Sequence, residues 1–568
     1  MKRCVFLFVA AVLFSGCKNT ADDVLLEIKS PKGNWVYFAG TEIAFSCNVR
    51  NDNLVWNSSL DGEIGKESRF VRKLSPGGHL ISLTDESSGK SVSVKIEVKE
   101  SSFDSAVKQI TALPFAVELP ERTECTECLS AGIFSLDGSI KTANFELSPQ
   151  LGADIEKRRS NRRTNFDSGQ KFFRLDNDIS SFENCIIKSE RSLSGTEIKR
   201  NFFVINTTEP YGEPNVVTAE MYYDSSLISV WIPENYSDTY LIDEIVNALD
   251  GFVLNRVNQL WGGSADIDSN GKITLLFSPT INEENKAVGF FNSKDFFKKN
   301  TDKNDASYNP YSNEMDVIYA AVPEKSGNKN YSVESVIATI SHEYAHAINF
   351  SNKTWKRCSG GEKNARLEDL FLDEGWSHLT ELLCGYGISG GDMDFINYYL
   401  ENSIYYSLCK NDFLGRNDSV GQRGAVCLFL YWLFEKAGGM DYDNCSGGFI
   451  DEGGISFLKS MVDSENYGWN CIGEYFGKNT DLLFIEFSKE LLARNETDIF
   501  IEGKTDPITK ERFSCIGLKA FSESFSGIEK YSVLPYSIAS ISGSGKSGCL
   551  TISGEKLQGN VYFWLGKQ

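Results

Sequence analysis

From residue 25 to about 99, apolar and polar residues alternate at the strand period. Ile43, Phe45, Cys47 and Val49 form one such row, and Val92, Val94, Ile96 and Val98 another. Turn-forming clusters separate the rows, at Lys32-Gly33, Ala39-Gly40-Thr41 and Pro76-Gly77-Gly78. Residues 25–99 are therefore expected to form a small β-sandwich. Further β-type rows at 171–175, 202–205 and 227–232 are spaced by long polar loops, one holding the basic run 157–163, so 100–235 reads as a β-rich linker or pro-like domain. At 236 the period changes. Leu241, Ile242, Ile245, Val246, Leu249, Phe252 and Val253 recur at helical spacing, and short strand patterns follow at 273–277, 287–291 and 315–321. Helical patterns then resume from Val333 and at 372–383, 392–408, 424–437, 456–462 and 481–492. Strand-like rows return after 505. The expected architecture is multidomain: all-β modules at the amino end, an α+β domain over 236–500, and a small β appendage over 501–568.

The first residues have a different logic. Lys2 and Arg3 precede an apolar run from 5 to 14, which ends at Ser15-Gly16-Cys17 and polar sequence. That is the layout of a secretory signal and is too short to span a bilayer. The small residues before Cys17 resemble a bacterial lipobox, with Phe14 where Leu is usual. This resemblance implies a signal peptide over 1–16, an acylated Cys17 and a lipidated linker over 17–24, in an exported lipoprotein anchored to a membrane of the bacterial cell envelope. No other apolar run reaches spanning length, and 427–434 reads as a buried helix.

Composition narrows the partners. With 41% hydrophobic and 12% aromatic residues in 568, the chain can fill the cores of three or four domains. The formal charge is −21, and −23 once Lys2 and Arg3 leave with the signal, which opposes binding to nucleic acid or to anionic lipid. A lipid rather than charge would hold it at a membrane. Fourteen cysteines fall to twelve in the mature chain, an even number compatible with disulfides in an exported protein. Cys125-Thr126-Glu127-Cys128 has no second such pair, so a stapled turn is favoured over a redox or zinc site.

The chemistry is concentrated in His342-Glu343-Tyr344-Ala345-His346. H-E-x-x-H on a helix projects two imidazoles one turn apart with a carboxylate beside them. Val336, Ile337, Ile340, Tyr344 and Ala347 fall on one side of that helix and the histidines on the other, so one face can pack while the other meets a cleft. Neutral imidazole suits zinc, and a catalytic zinc takes three protein ligands. In the helical pattern 372–383, Glu374, His378 and Glu381 share one face, and the 27 residues between His346 and Glu374 allow this second helix to cross the first. Glu374 is the expected third ligand beside His342 and His346, with Glu343 as general base. The chain has four histidines, and three lie between 342 and 378, which argues against a chance match.

His342 to His346 followed by Asp373-Glu374-Gly375 resembles the gluzincin metallopeptidases, most closely the hyicolysin-like neutral metalloproteases and more distantly thermolysin. The resemblance covers roughly 236–500 and implies a zincin fold, bound Zn2+, and a protein or peptide substrate. It also implies that the last strand before the zinc helix lies at the cleft edge, here 316–321. Aminopeptidase relatives carry G-x-M-E-N in that region, where this chain reads Ser312-Asn313-Glu314-Met315-Asp316, so an endopeptidase is expected. Such enzymes use a downstream Tyr or His as oxyanion donor. Tyr405, Tyr406, Tyr431 and His378 are the candidates, and none is singled out by the sequence. The alternative class is an inactive adhesin or scaffold lipoprotein, and the intact set Glu343, His342, His346 and Glu374 weighs against it.

Two lesser features remain. Asp266-Ile267-Asp268-Ser269-Asn270-Gly271 offers oxygens around a glycine turn, with Asp266, Asp268 and Asn270 as Ca2+ ligands. Phe277 stands where an EF-hand has its bidentate Glu, so the motif is not an EF-hand, and an ion-free Asx turn stays open beside a calcium loop. The 25–99 module resembles bacterial immunoglobulin-like spacers, without their internal disulfide, and its His79 reads as structural.

Overall fold

Alternation in the first hundred residues resolves into two facing sheets. One holds Ile28–Ser30, Ile43–Cys47 and Arg69–Arg72; the other orders Trp35–Phe38, Lys90–Lys99, Gly77–Asp85, Leu54–Ser58 and Gly62–Gly65. Alternate residues point inward because successive side chains of a strand leave opposite faces. Phe45, Leu54, Trp56, Ile81, Leu83, Ile96 and Val98 meet in one core. Trp56 and Phe45 pack edge to face at 5.7 Å, and the Trp56 indole N–H donates to the Glu67 carbonyl at 3.0 Å. His79 is held at 2.6 Å by both Ser58 Oγ and the Ser75 carbonyl, a satisfied core histidine.

The structure, a computed structural model, describes residues 26–31, 35–38, 43–99, 108–110, 115–119, 129–136, 139–147, 199–234, 236–325, 329–361, 365–443, 445–493, 501–518, 531–543, 548–553, 556–558 and 561–567. The signal segment, Cys17, Cys125, Cys128 and the row at 171–175 lie outside them. The chain divides into two units, Met1–Glu100 and Ser101–Gln568.

A six-stranded sheet organises the second unit. Its strands are β1 (Lys199–Val204), β2 (Asn215–Asp224), β3 (Ile228–Pro233), β4 (Ile273–Phe277), β5 (Gly289–Phe291) and β6 (Val317–Ala320), in the order β1-β2-β3-β4-β6-β5. The sequence reading ended the linker at 235, yet β1 to β3 belong to this sheet. Phe202, Val204, Val217 and Trp231 share one core with Leu276, Phe290, Val317 and Tyr319, so the mixed domain begins near 199. Helices α1 (Thr239–Ala248) and α2 (Leu254–Trp261), joined by a π turn, follow β3. Next come α3 (Val333–Asn349), α4 (Leu370–Leu383), α5 (Asp392–Asn402) and α6 (Val420–Lys436).

The strand expected at the cleft edge is instead interior. β6 pairs in parallel with β4 on one side and antiparallel with β5 on the other, which makes β5 the edge. Val317, Ile318, Tyr319 and Ala320 are all buried, as a strand covered on both faces and both edges must be. Gly289 lets β5 run tight against α3, since a Cβ there would lie 2.7 Å from the Tyr319 carbonyl oxygen and 2.8 Å from Thr339.

The appendage expected over 501–568 is not a separate module. Phe115–Leu119 and Ser139–Leu147 flank Gly548–Ser553 in one sheet, and Leu129–Ser135 lies between Ile538–Gly543 and Val561–Lys567 in another. Strands from before and after the mixed domain thus complete each other. Cys384, Cys427, Cys471 and Cys515 are buried free thiols.

Candidate metal centre

α3 begins at Ser332, whose hydroxyl accepts from the Ser335 N–H at 3.2 Å. Val336, Ile337, Ile340 and Ala347 are buried on its apolar side, and it packs against both β5 and α4. α4 comes close to α6 because residue 375 is glycine; a Cβ there would overlap the Val426 side chain. Gly375→Val is therefore expected to lower stability by about 1–3 kcal/mol through overpacking, read as a drop in melting temperature.

His342 and His346, one turn apart on α3, turn their Nε2 atoms toward each other at 3.1 Å. Glu374 closes the triangle, with carboxylate oxygens 3.6 Å from His342 Nε2 and 3.8 Å from His346 Nε2. Each imidazole is oriented through its other nitrogen. His342 Nδ1 lies 2.6 Å from Glu381 Oε1, and His346 Nδ1 lies 3.1 Å from Asp373 Oδ1. In a neutral ring, an Nδ1–H donated to a carboxylate leaves Nε2 able to offer its lone pair to a metal. Two imidazole nitrogens and a carboxylate facing one point favour a positive charge among them, a shared proton or a metal cation. Tetrahedral Zn–N bonds of 2.0–2.1 Å place ligand atoms about 3.3 Å apart, so the residues present fit zinc.

His378 competes by distance, since it groups with His342 and Glu374. Its hydrogen bonds remove it. Nε2 faces Arg423 Nη1 at 3.2 Å, and a guanidinium only donates, so that lone pair is taken. Nδ1 then carries the proton, 2.8 Å from Asp392 Oδ1 and 3.1 Å from Glu381 Oε1. Burial depresses the His378 pKa to about 4, which keeps the ring neutral.

The electrostatics also suit a cation. Burial would lower the His342 pKa, but Glu374 and Glu381 override it and hold it well above the usual value. Burial would raise that of Glu374, yet Arg423 and the two histidines hold it well below. Burial dominates at Glu343 and raises its pKa, opposed by the histidines. Glu343 Oε2 accepts from the Phe291 N–H of edge strand β5 at 2.9 Å.

These groups line one cleft of about 160 Å³. Ser335, Thr339, Asn330 and Tyr331 line it toward the start of α3; Phe291, Phe350, Thr354 and Leu367 line it beyond His346. Arg423 is the one Lys or Arg among the described lining residues. Tyr405, Tyr406 and Tyr431 are not among them, and the Tyr431 hydroxyl donates to Glu435 at 3.0 Å. Asp373 and Glu381 as histidine partners, Asn349 bonded to Asp373 at 2.5 Å, and Arg423 were not foreseen. Glu381 was nearly legible, sharing a helical face with Glu374. Arg423 lies 49 residues beyond Glu374 with no local signal.

The second constellation is built from residues just ahead of β4 and β6 in the chain. Asp266 and Asp268 are joined by Asp316, and Asn270 Nδ2 donates to Asp268 at 3.0 Å. The Asn270 side-chain oxygen accepts from the Lys272 N–H at 2.8 Å, which closes the loop as a turn. Burial pushes the Asp268 pKa up to about 6.

No family model matches this chain. Over 248 residues it is 24% identical to the neutral metalloprotease ShpI of Staphylococcus hyicus, an alignment that takes in 43% of this chain and 52% of that protein. The chain thus spans about half the length of that curated relative, and the likeness supports a metalloprotease relationship at family level. Among solved structures, the fibronectin(III)-like modules of Clostridium thermocellum CbhA match at 23% identity, covering 13% of this chain and 98% of theirs, with a TM-score of 0.12.

Proposed function

We propose that this chain is a zinc-dependent endopeptidase, tethered to a membrane through an acylated Cys17, that hydrolyses internal peptide bonds of protein substrates. One observation carries the reading: the Nε2 atoms of His342 and His346 and the Glu374 carboxylate converge on one point inside a cleft that also holds Glu343. Zinc bound there would polarise the scissile carbonyl and acidify a water molecule. The protein supplies the rest. Glu343, beside a ligand histidine on the same helix, takes the proton of the attacking water and returns it to the leaving amine. Its burial strengthens it as a base.

Strand β5 supports an extended substrate, because among the described residues no second strand pairs with its outer edge, where the Phe291 N–H meets Glu343. The reading Ser312-Asn313-Glu314-Met315-Asp316, in place of the G-x-M-E-N of aminopeptidase relatives, supports cleavage within chains. Asn313, in the region where aminopeptidase relatives carry their element, is spent inside the sheet, bonded to the Phe203 N–H and carbonyl and to Tyr319.

The test is cleavage of casein or an internally quenched peptide by the purified protein, with and without a chelator. Chelator-sensitive internal cleavage is expected. A zinc-loaded protein that cleaves nothing would favour the scaffold reading instead.

Ca2+ is proposed at Asp266, Asp268 and Asp316, on the nearness of three carboxylates, two of them buried. Millimolar Ca2+ should raise the melting temperature of the wild type and leave that of Asp316→Asn unchanged. Equal melting with and without Ca2+ in the wild type would leave the loop as an Asx turn.

A further inference from the structure

The histidines, the base and the zinc ligands account for most of the cleft, but not for Arg423. It is 3% exposed and belongs to α6, a helix that contributes no ligand. Its Nε donates to Asp418 Oδ1 at 2.7 Å and its Nη2 to the other Asp418 oxygen, a two-point grip that fixes the guanidinium plane. The remaining end, Nη1, stands 3.1 Å from Glu374 Oε2 and 3.2 Å from His378 Nε2.

We propose that Arg423, clamped by Asp418, is a positioning residue for the metal centre: it holds the Glu374 carboxylate in the ligand orientation and fixes the tautomer of His378. The proposal rests on the zinc reading above. A carboxylate on a helix turns freely about its last bond; one oxygen engaged by a fixed cation leaves the other for the metal. The second contact extends the effect. With its Nε2 lone pair engaged, His378 must carry its proton on Nδ1, toward Glu381 and Asp392. Glu381 in turn accepts a hydrogen bond from His342 Nδ1–H, so that His342 Nε2 is the nitrogen turned to the cation. One guanidinium thus sets the state of two of the three ligands.

Coulomb's law alone predicts the opposite sign. A positive charge beside a cation site repels the cation, so its removal should tighten zinc. Positioning predicts weaker zinc, and the two are separable by experiment. Full-length wild type, Arg423→Ala, Arg423→Lys and Asp418→Asn are stripped with chelator and titrated with zinc against a chromogenic competitor. Each is also loaded with cobalt(II), whose visible spectrum reports the ligand set.

Arg423→Ala should bind zinc about 10- to 100-fold more weakly, the size of effect seen when outer partners of metal ligands are removed. Its cobalt spectrum should change. Arg423→Lys should recover part of the affinity, because the charge returns without the fork. Asp418→Asn should fall between wild type and Arg423→Ala. Unchanged or tighter zinc in Arg423→Ala, with an unaltered spectrum, would overturn the proposal. If Arg423→Ala does not fold, wild-type affinity and spectra in both Arg423→Lys and Asp418→Asn would overturn it equally. A wild type that takes up no zinc would sink the metallopeptidase reading, a result distinct from a wild type and Arg423→Ala that bind alike.

Discussion

Glu343→Gln is expected to keep the fold and the bound zinc while cutting peptide-bond cleavage at least ~10²-fold, the lower end of what general acid–base catalysis contributes. The substitution is nearly isosteric, and its amide oxygen can still accept from the Phe291 N–H that now bonds Glu343 Oε2 at 2.9 Å. The packing between α3 and β5 is therefore preserved. What disappears is the basic carboxylate. Burial raises the Glu343 pKa, while His342 and His346 pull it back, so the group stays able both to accept a proton and to release it. A side-chain amide can do neither. Zinc content and cleavage of a quenched peptide, measured on the same preparation, check this. Undiminished, chelator-sensitive cleavage by Glu343→Gln would remove Glu343 from the mechanism.

His342→Ala, His346→Ala and Glu374→Ala are each expected to weaken zinc by more than ~10²-fold, beyond the loss caused by outer partners alone. Each removes one corner of a triangle whose sides are 3.1, 3.6 and 3.8 Å. Each also takes one partner from a neighbouring charged group: Glu381 for His342, Asp373 for His346, Arg423 for Glu374. The apoproteins should consequently melt lower than wild type stripped of metal, since a charged group in this site that loses one of its partners costs stability. Zinc per chain after dialysis is the direct measurement. His378→Ala is the control that decides between the two groupings of donors. Zinc retained there and lost in His346→Ala supports the assignment; the reverse would make His378 the third donor.

The six-stranded sheet shows where local reading ran out. The strand pattern at 315–321 is legible because its centre, Val317, Ile318 and Tyr319, is β-branched or aromatic. Its place inside the sheet was not, because a strand with one covered edge and a strand with two look alike along the chain. Gly289 supplied the missing step, allowing the three residues of β5 to slip between β6 and α3. The β strands from 108–147 and 531–567 likewise pair across the whole mixed domain, and pairing at that distance leaves no local period to detect.

By itself the sequence determined the two helices and the identity of the groups they carry. Helical spacing puts His342, Glu343 and His346 on one side of α3, and Glu374, His378 and Glu381 on one side of α4, whatever the rest of the chain does. Only the tertiary structure decided which of those groups meet and in which protonation state. His378 is as good a ligand as His346 by residue type, and it is withdrawn solely because α6, packed through Gly375, brings Arg423 against its Nε2. A lone pair is free or engaged according to its neighbours in space, and those neighbours come from parts of the chain that no periodicity connects.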